Sequence, residues 1–288
     1  MILAAGTLWG CMGLFVNEMG TLGFTSLQTS SLRVTVAMVA MAVFVFLTDK
    51  SRFRVELKDL PILAILGIVS IFGMSLLYFY TIINTSMAVA AILLYTSPIW
   101  VILISAFVFR EKITAKKLVA LVCAFFGCVF VSGIGGAEGI AFAFFITGLA
   151  SGLAYGLYSI FGTFVLKKYH PYTVTVYAFA FAAAASWIAA NPIQIVRTAA
   201  ACPNLPYALM MIAATGIVTA FAPFVLYTCG LSGTTPGKAA IMASAEPMVA
   251  ALLGFFVYGQ KASIPGILLI LFAILLVNNF GMSKKQKI

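Results

Sequence analysis

The sequence predicts an all-α membrane protein, with ten transmembrane helices arranged as two inverted-topology five-helix repeats. Its composition is the first reason. Of 288 residues, 63% are apolar and 8% charged, and the mean hydropathy is +1.13; a soluble globular domain is about half apolar and a quarter charged. The second reason is run length. The apolar residues fall in continuous runs of roughly 17–25, enough to cross a hydrocarbon core of about 30 Å as helix. They do not alternate as barrel strands would, and a helix satisfies its own backbone polar groups within lipid. The third reason is duplication. Gly67-Ile68-Val69-Ser70-Ile71-Phe72 returns as Gly216-Ile217-Val218-Thr219-Ala220-Phe221, and Leu77-Tyr78 returns as Leu226-Tyr227. The same offset carries Ala90-Ala91-Ile92 onto Ala239-Ala240-Ile241, Pro98 onto Pro247 and Lys112 onto Lys261. A slightly shorter offset aligns Gly6, Trp9 and Gly10 with Gly152, Tyr155 and Gly156.

The ten spans follow in order. Span 2–17 carries Gly6-x-x-x-Gly10 and Trp9, with Asn17 and Glu18 at its end. Span 27–47 holds Arg33 near its start, and Lys50, Arg52, Arg54 and Lys58 fill the loop after it. Span 61–83 opens on Pro61, carries Tyr78 and Tyr80, and stops at Asn84; proline suits a helix start because its missing N–H is not needed there. Span 86–109 has Tyr95 and a mid-span Pro98, and Arg110, Lys112, Lys116 and Lys117 follow. Span 115–133 completes a first repeat, residues 1–135. The second repeat, residues 136–288, opens with span 141–166, where Gly148, Gly152 and Gly156 recur every four residues beside Tyr155 and Tyr158. Such spacing lets helix backbones approach closely. Lys167 and Lys168 precede span 172–190. Segment 191–204, with Asn191-Pro192 and Cys202-Pro203-Asn204, reads as a loop with at most a short surface helix. Span 205–230 starts at Pro206 and contains Pro223 and Tyr227; span 236–258 starts at Pro236 and contains Lys238, Glu246 and Pro247; span 263–281 starts near Pro265.

Loop charge sets the expected topology. Lysines and arginines gather after spans two, four and six and at Lys284, Lys285 and Lys287, all on one side, whereas Arg197 and Lys261 are alone on the other. The positive-inside rule then makes both termini cytoplasmic. Five spans per repeat is odd, so the second copy must insert upside down. Inverted repeats are the architecture of many secondary transporters, because exchanging the conformations of two similar halves converts an inward-open shape into an outward-open one.

Several function classes are excluded. The net charge of +10 lies in short clusters between apolar runs and forms no basic stripe, so no nucleic-acid partner is expected. Cys11, Cys123, Cys128, Cys202 and Cys229 lack metal-ligand spacing and read as packing residues. A single histidine, His170, stands near a loop. With no paired membrane carboxylates, zinc pattern or phosphate-cradling glycine loop, neither an enzyme nor an ATP-driven pump is expected, and no metal or cofactor.

The pattern Ala90-Ala91-Ile92-Leu93-Leu94-Tyr95-x-x-Pro98 followed by Phe109-Arg110-Glu111-Lys112 resembles the drug/metabolite transporter superfamily, in its EamA-type ten-helix members. Lys238-Ala239-Ala240-Ile241 through Glu246-Pro247 to Tyr258-Gly259-Gln260-Lys261 resembles the companion repeat, with Gln260 where the family commonly has glutamate. Leu8-Trp9-Gly10 and Leu32-Arg33 resemble its first two helices. The resemblance implies a basket in which helices one to four and six to nine line a cavity and five and ten pack outside. It also implies transport of small organic solutes such as amino acids and related metabolites, with export across a bacterial inner membrane as the leading expectation and lipophilic cations or drugs as the alternative cargo. Coupling ion, direction and oligomeric state stay open.

Polar atoms inside a bilayer need a reason. Glu246, about 15 Å into its span at 1.5 Å per residue, is read as a substrate-ammonium contact or proton-coupling site, or else as a carboxyl bonding backbone groups freed around Pro247. Lys238 is about 12 Å away along the helix, too far to pair, and can snorkel. Arg33 can snorkel, meet Glu18 or bind a substrate carboxylate. Trp9, Tyr78, Tyr80, Tyr95, Tyr155, Tyr158 and Tyr227 are candidates for the cavity wall, being amphipathic rings whose polar tips need partners; tight packing explains a ring equally well. Pro98 and Pro247, at matching positions, and Pro223 are candidate kinks or hinges.

Overall fold

A computed structural model of the chain describes residues 1–85, 87–132, 141–259 and 263–278. Every regular element among them is helical. Among the described residues, nine helices are long and apolar enough to span a bilayer: α1 Ile2–Thr21, α2 Ser26–Thr48, α3 Leu57–Asn84, α4 Val89–Val108, α5 Ala115–Ser132, α6 Phe142–Val165, α7 Pro171–Ala189, α8 Leu205–Leu231 and α9 Pro236–Tyr258. The apolar helix α10, Ile264–Asn278, is the described part of the expected tenth span. Gln260, Lys261 and the C-terminal lysines 284, 285 and 287 lie outside the described residues, as does the expected boundary between the repeats.

Local chemistry sets the helix starts. Thr25 and Gln28 form a reciprocal capping box at α2, and the Asn204 side chain caps α8 by accepting the Tyr207 N–H at 3.0 Å. Segment 191–204 contains the short helix that its sequence allows. Asn191 accepts the Ile193 and Gln194 N–H groups and starts a ten-residue helix, Pro192–Ala201, whose Ile195 is buried. Helix α1 runs past its expected end, so Asn17 lies inside the helix instead of capping it.

Five helices are irregular, and the pattern repeats across the halves. Helix α4, whose first segment begins just ahead of the span at Met87, breaks at Tyr95-Thr96 between Met87–Leu94 and Ser97–Val108; α9 breaks at Ser244 between Pro236–Ala243 and Ala245–Tyr258. Pro98 and Pro247 explain both breaks, since each lacks the N–H that would bond four residues back and its ring crowds that carbonyl. Helices α3 and α8 widen into π-helical turns at Leu66–Gly73 and Ile217–Phe221. Pro223 has no proline at its matching place, yet the irregularity near it has a first-half counterpart and so does not need proline, because Met74 occupies that place in α3. Helix α1 breaks at Cys11 without a counterpart in α6.

Packing follows the same correspondence. Helix α1 lies against α8 and α9 as α6 lies against α3 and α4; α2 packs on α8 as α7 packs on α3; α5 and α10 pair with each other. The closest approaches are at glycines. A Cβ on Gly10 would sit 2.8 Å from the Glu246 carbonyl oxygen, and one on Gly156 would sit 3.3 Å from that of Ser97. Likewise, Gly67 abuts the Ala178 carbonyl and Gly216 that of Arg33. Trp9, Phe179, Phe224 and Tyr158 belong to one buried cluster joining α1, α6, α7 and α8.

Candidate functional site

Glu246 stands in the first turn after the α9 break, where unsatisfied backbone N–H groups favour a carboxylate. Its residue is 7% exposed. The Tyr155 hydroxyl donates to Oε2 at 2.9 Å, and the Tyr95 hydroxyl reaches Oε1 at a longer 3.5 Å. These partners come from α6 and α4, so the carboxylate joins three helices. The reading in which it bonds backbone freed by Pro247 is not what the structure shows; its partners are phenols.

An aromatic wall surrounds this group. Trp9 meets Tyr155 edge-on at 6.1 Å between centroids, Phe224 at 5.1 Å and Tyr227 at 5.3 Å. Tyr158 packs on Phe224 at 5.2 Å, and its hydroxyl meets Thr228 Oγ1 at 2.8 Å. The Tyr227 hydroxyl meets Ser159 Oγ at 2.6 Å. Trp9 and Tyr155, matched positions of the repeat, thus touch each other at the centre. Trp9, Tyr155, Tyr158, Ser159, Phe224, Tyr227, Glu246 and Pro98 line a cavity of about 20 Å³. That volume holds roughly one water molecule, so in this conformation the site is closed around its own side chains.

The structure divides the remaining candidates. Tyr78 is half-buried, packs beside Phe79 and is not among the residues that line the cavity. Tyr80 is 52% exposed and packs on Phe144 at 6.0 Å; it faces outward and does not line the cavity. Lys238 lies at the start of α9, away from the cavity lining. Arg33 neither snorkels nor meets Glu18. It is buried, and its Nη1 reaches Met12 Sδ at 2.8 Å; Glu18 accepts instead from the Tyr207 hydroxyl at 2.8 Å.

Phe224, Ser159, Thr228 and Ser97 also belong to the site but were not singled out in the sequence. Phe224 is one of 25 phenylalanines, and intramembrane hydroxyls commonly serve their own helix, as Thr163 serves the Ser159 carbonyl. Pro223 and the alignment of Tyr78 with Tyr227 pointed toward this stretch of α8.

The sequence matches the EamA-like transporter family over residues 1–133 and 143–278. An uncharacterized transporter of Archaeoglobus fulgidus is 28% identical over 271 residues, covering 91% of this chain and 88% of its own. Another uncharacterized transporter of that organism is 33% identical over 182 residues, 58% of this chain and 61% of its own. A solved crystal structure aligns with a TM-score of 0.78 over 96% of this chain and 95% of its own, at 17% identity, which is a likeness of fold. With apolar spans throughout and a family match across both halves, the chain is an integral membrane protein and belongs to the EamA-like transporter family.

Proposed function

We propose that this EamA-like transporter is a secondary transporter that exports amino acids or related amphipathic metabolites by alternating access. Residues 1–135 and 136–288 act as two units of opposite orientation with both termini cytoplasmic, in a bacterial-type inner membrane. The observation that carries the reading is Glu246: a buried carboxylate at a half-helix start, held by Tyr95 and Tyr155, beside a small cavity walled by Trp9, Phe224 and Tyr227. Such a group binds a substrate ammonium, or a proton when no substrate is present, and the rings receive an apolar side chain. Matched breaks in α4 and α9 support a pair of hinges at Pro98 and Pro247, which would open the closed cavity to one side at a time.

Proteoliposomes loaded with amino acids test this directly. Wild-type protein should exchange labelled amino acid. Glu246→Gln should lower that flux at least tenfold and remove its dependence on pH, since a lost charge-assisted contact is worth about 1.5–3 kcal/mol. Unchanged flux and pH profile would take Glu246 out of the mechanism. The aromatic wall beside a single carboxylate also suits a lipophilic cation. Flux of cationic dyes without amino-acid exchange would favour that cargo.

A further inference from the structure

Arg33 is 7% exposed, yet its only described side-chain hydrogen bond is to the Met12 thioether, a weak acceptor. A guanidinium carries five N–H donors, and a buried charge is costly unless paired. None of the ion pairs among the described residues includes Arg33. The nearest carboxylate in sequence terms, Glu18, is engaged by Tyr207. Glu246 accepts from Tyr155 at 2.9 Å and from Tyr95 at 3.5 Å, and forms no ion pair with Arg33 among the described residues. Ser30 adds an independent observation. It precedes Arg33 by three residues, on the same side of α2, is 3% exposed, and its Oγ has no hydrogen-bond partner. Two buried donors thus share one helix face without a strong acceptor; neither lines the closed cavity, and the Arg33 fork approaches it at Met12, one helical turn beyond the cavity-lining Trp9.

We infer that Arg33 and Ser30 form the carboxylate-receiving half of the substrate site, so that the cargo is a zwitterion whose ammonium meets Glu246 and whose carboxylate meets the Arg33 fork. This inference rests on the amino-acid reading above and names the charge pattern that the site selects. A guanidinium binds a carboxylate through two parallel N–H···O bonds, and the Ser30 hydroxyl supplies a third. Met12, unbranched and polarizable, is suited to give way when the anion arrives. A lipophilic cation would leave both donors unserved.

The test uses the full chain in proteoliposomes with two matched probes, labelled L-phenylalanine and L-phenylalaninamide. Both carry an ammonium and the same side chain, and only the acid carries a carboxylate. Wild-type protein should move the acid at least about tenfold faster than the amide, the loss expected when a charge-assisted contact goes unmade. Arg33→Gln should bring acid flux down to the amide level. Arg33→Lys should retain part of the preference, because the charge stays and the fork is lost. Tyr80→Phe, on the outer surface, should match wild type. Equal rates of acid and amide in wild type, or a preference that survives in folded Arg33→Gln protein, would overturn the inference while leaving amino-acid transport standing. If wild type carried neither probe but carried a cationic dye, both readings would fall together. Should Arg33→Gln fail to fold, the acid-to-amide ratio of wild type and of Ser30→Ala decides the matter.

Discussion

Arg110 holds a left-handed backbone, with φ of 54°, and is the one non-glycine residue with positive φ among the described residues. At the matching place after α9 stands Gly259, with φ of 63°, its N–H bonded to the Phe255 carbonyl at 3.1 Å. A side chain in this conformation costs about 1–2 kcal/mol, and glycine avoids that cost while losing more chain entropy on folding. Arg110→Gly should therefore stabilise the protein by up to about 1 kcal/mol, read as a higher melting temperature in detergent. A lower one would mean that the exposed Arg110 side chain makes a contact that outweighs the strain. Single residues also mark where the sequence stops being legible. Tyr78 and Tyr80 are equally plausible as written, but two residues on a helix point to nearly opposite faces. Both faces of α3 are apolar, since one meets lipid and the other meets protein, so no polarity contrast says which ring turns inward. Arg33 was ambiguous for a related reason. A long cationic side chain can reach water or stay buried, and only the position of Met12 and the engagement of Glu18 by Tyr207 decide between the two.

Prolines at the scale of the helix were readable, and wide turns were not. Pro98 and Pro247 remove a backbone donor by their covalent structure, so the breaks in α4 and α9 could be located from the sequence. The π turns of α3 and α8 contain no residue that forces them. They occur beside Gly67 and Gly216, where neighbouring backbone presses close, and that is a property of packing. Helix α7 carries a sharper prediction. Its N-cap is His170, whose Nδ1 accepts the Tyr172 N–H at 3.3 Å, which requires an unprotonated Nδ1. Burial, then the nearby Arg52 charge, lowers the imidazole from its ordinary value, and a helix N-terminus disfavours a cation. The folded state thus prefers the neutral ring. The associated stability is present above the ordinary histidine pKa of about 6.5 and is lost as pH falls through the lowered folded value. Asparagine caps equally well without titrating. His170→Asn should remove the part of the melting-temperature loss that wild type shows between mildly alkaline and mildly acidic pH. Parallel curves for the two proteins would show that the cap does not titrate with the fold.

Across the whole molecule, the two ends of the bundle are held by different chemistry. At the end carrying the positive loops, Lys168 in the α6–α7 connection donates to Asp59 at 2.6 Å and Glu56 at 2.5 Å at the start of α3. Tyr169 donates to Asp59 and receives the Glu56 N–H at 3.1 Å. At the other end, Met19, Phe24, Cys202 and Ala208 form an apolar cluster beside the Glu18–Tyr207 bond. The loop lysines were legible as topology signals, but their pairing was not, because Glu56 and Lys168 are far apart in sequence and meet only through the packing of α3 on α6 and α7. Hydrogen bonding by Lys168 depresses the Glu56 carboxyl, and hydrogen bonding to Asp59 raises the Lys168 ammonium. For Glu56 the linked stability is present above the ordinary carboxylate value of about 4.3 and is lost as pH falls through the depressed one; for Lys168 it is present below about 10.4 and lost as pH rises through the raised one. Between those limits the cluster is fully charged. Lys168→Met keeps an apolar stem but removes the cation that bridges Glu56 and Asp59, leaving only Lys58, which pairs with Glu56 at 2.7 Å. Its melting temperature should fall below that of wild type at neutral pH and low salt. The gap should narrow in high salt, which screens exposed charges, and close as pH falls below the depressed carboxyl values, where the carboxylates are neutral in both proteins. A gap that persisted in acid and in salt would assign the role of Lys168 to the packing of its stem and not to its charge.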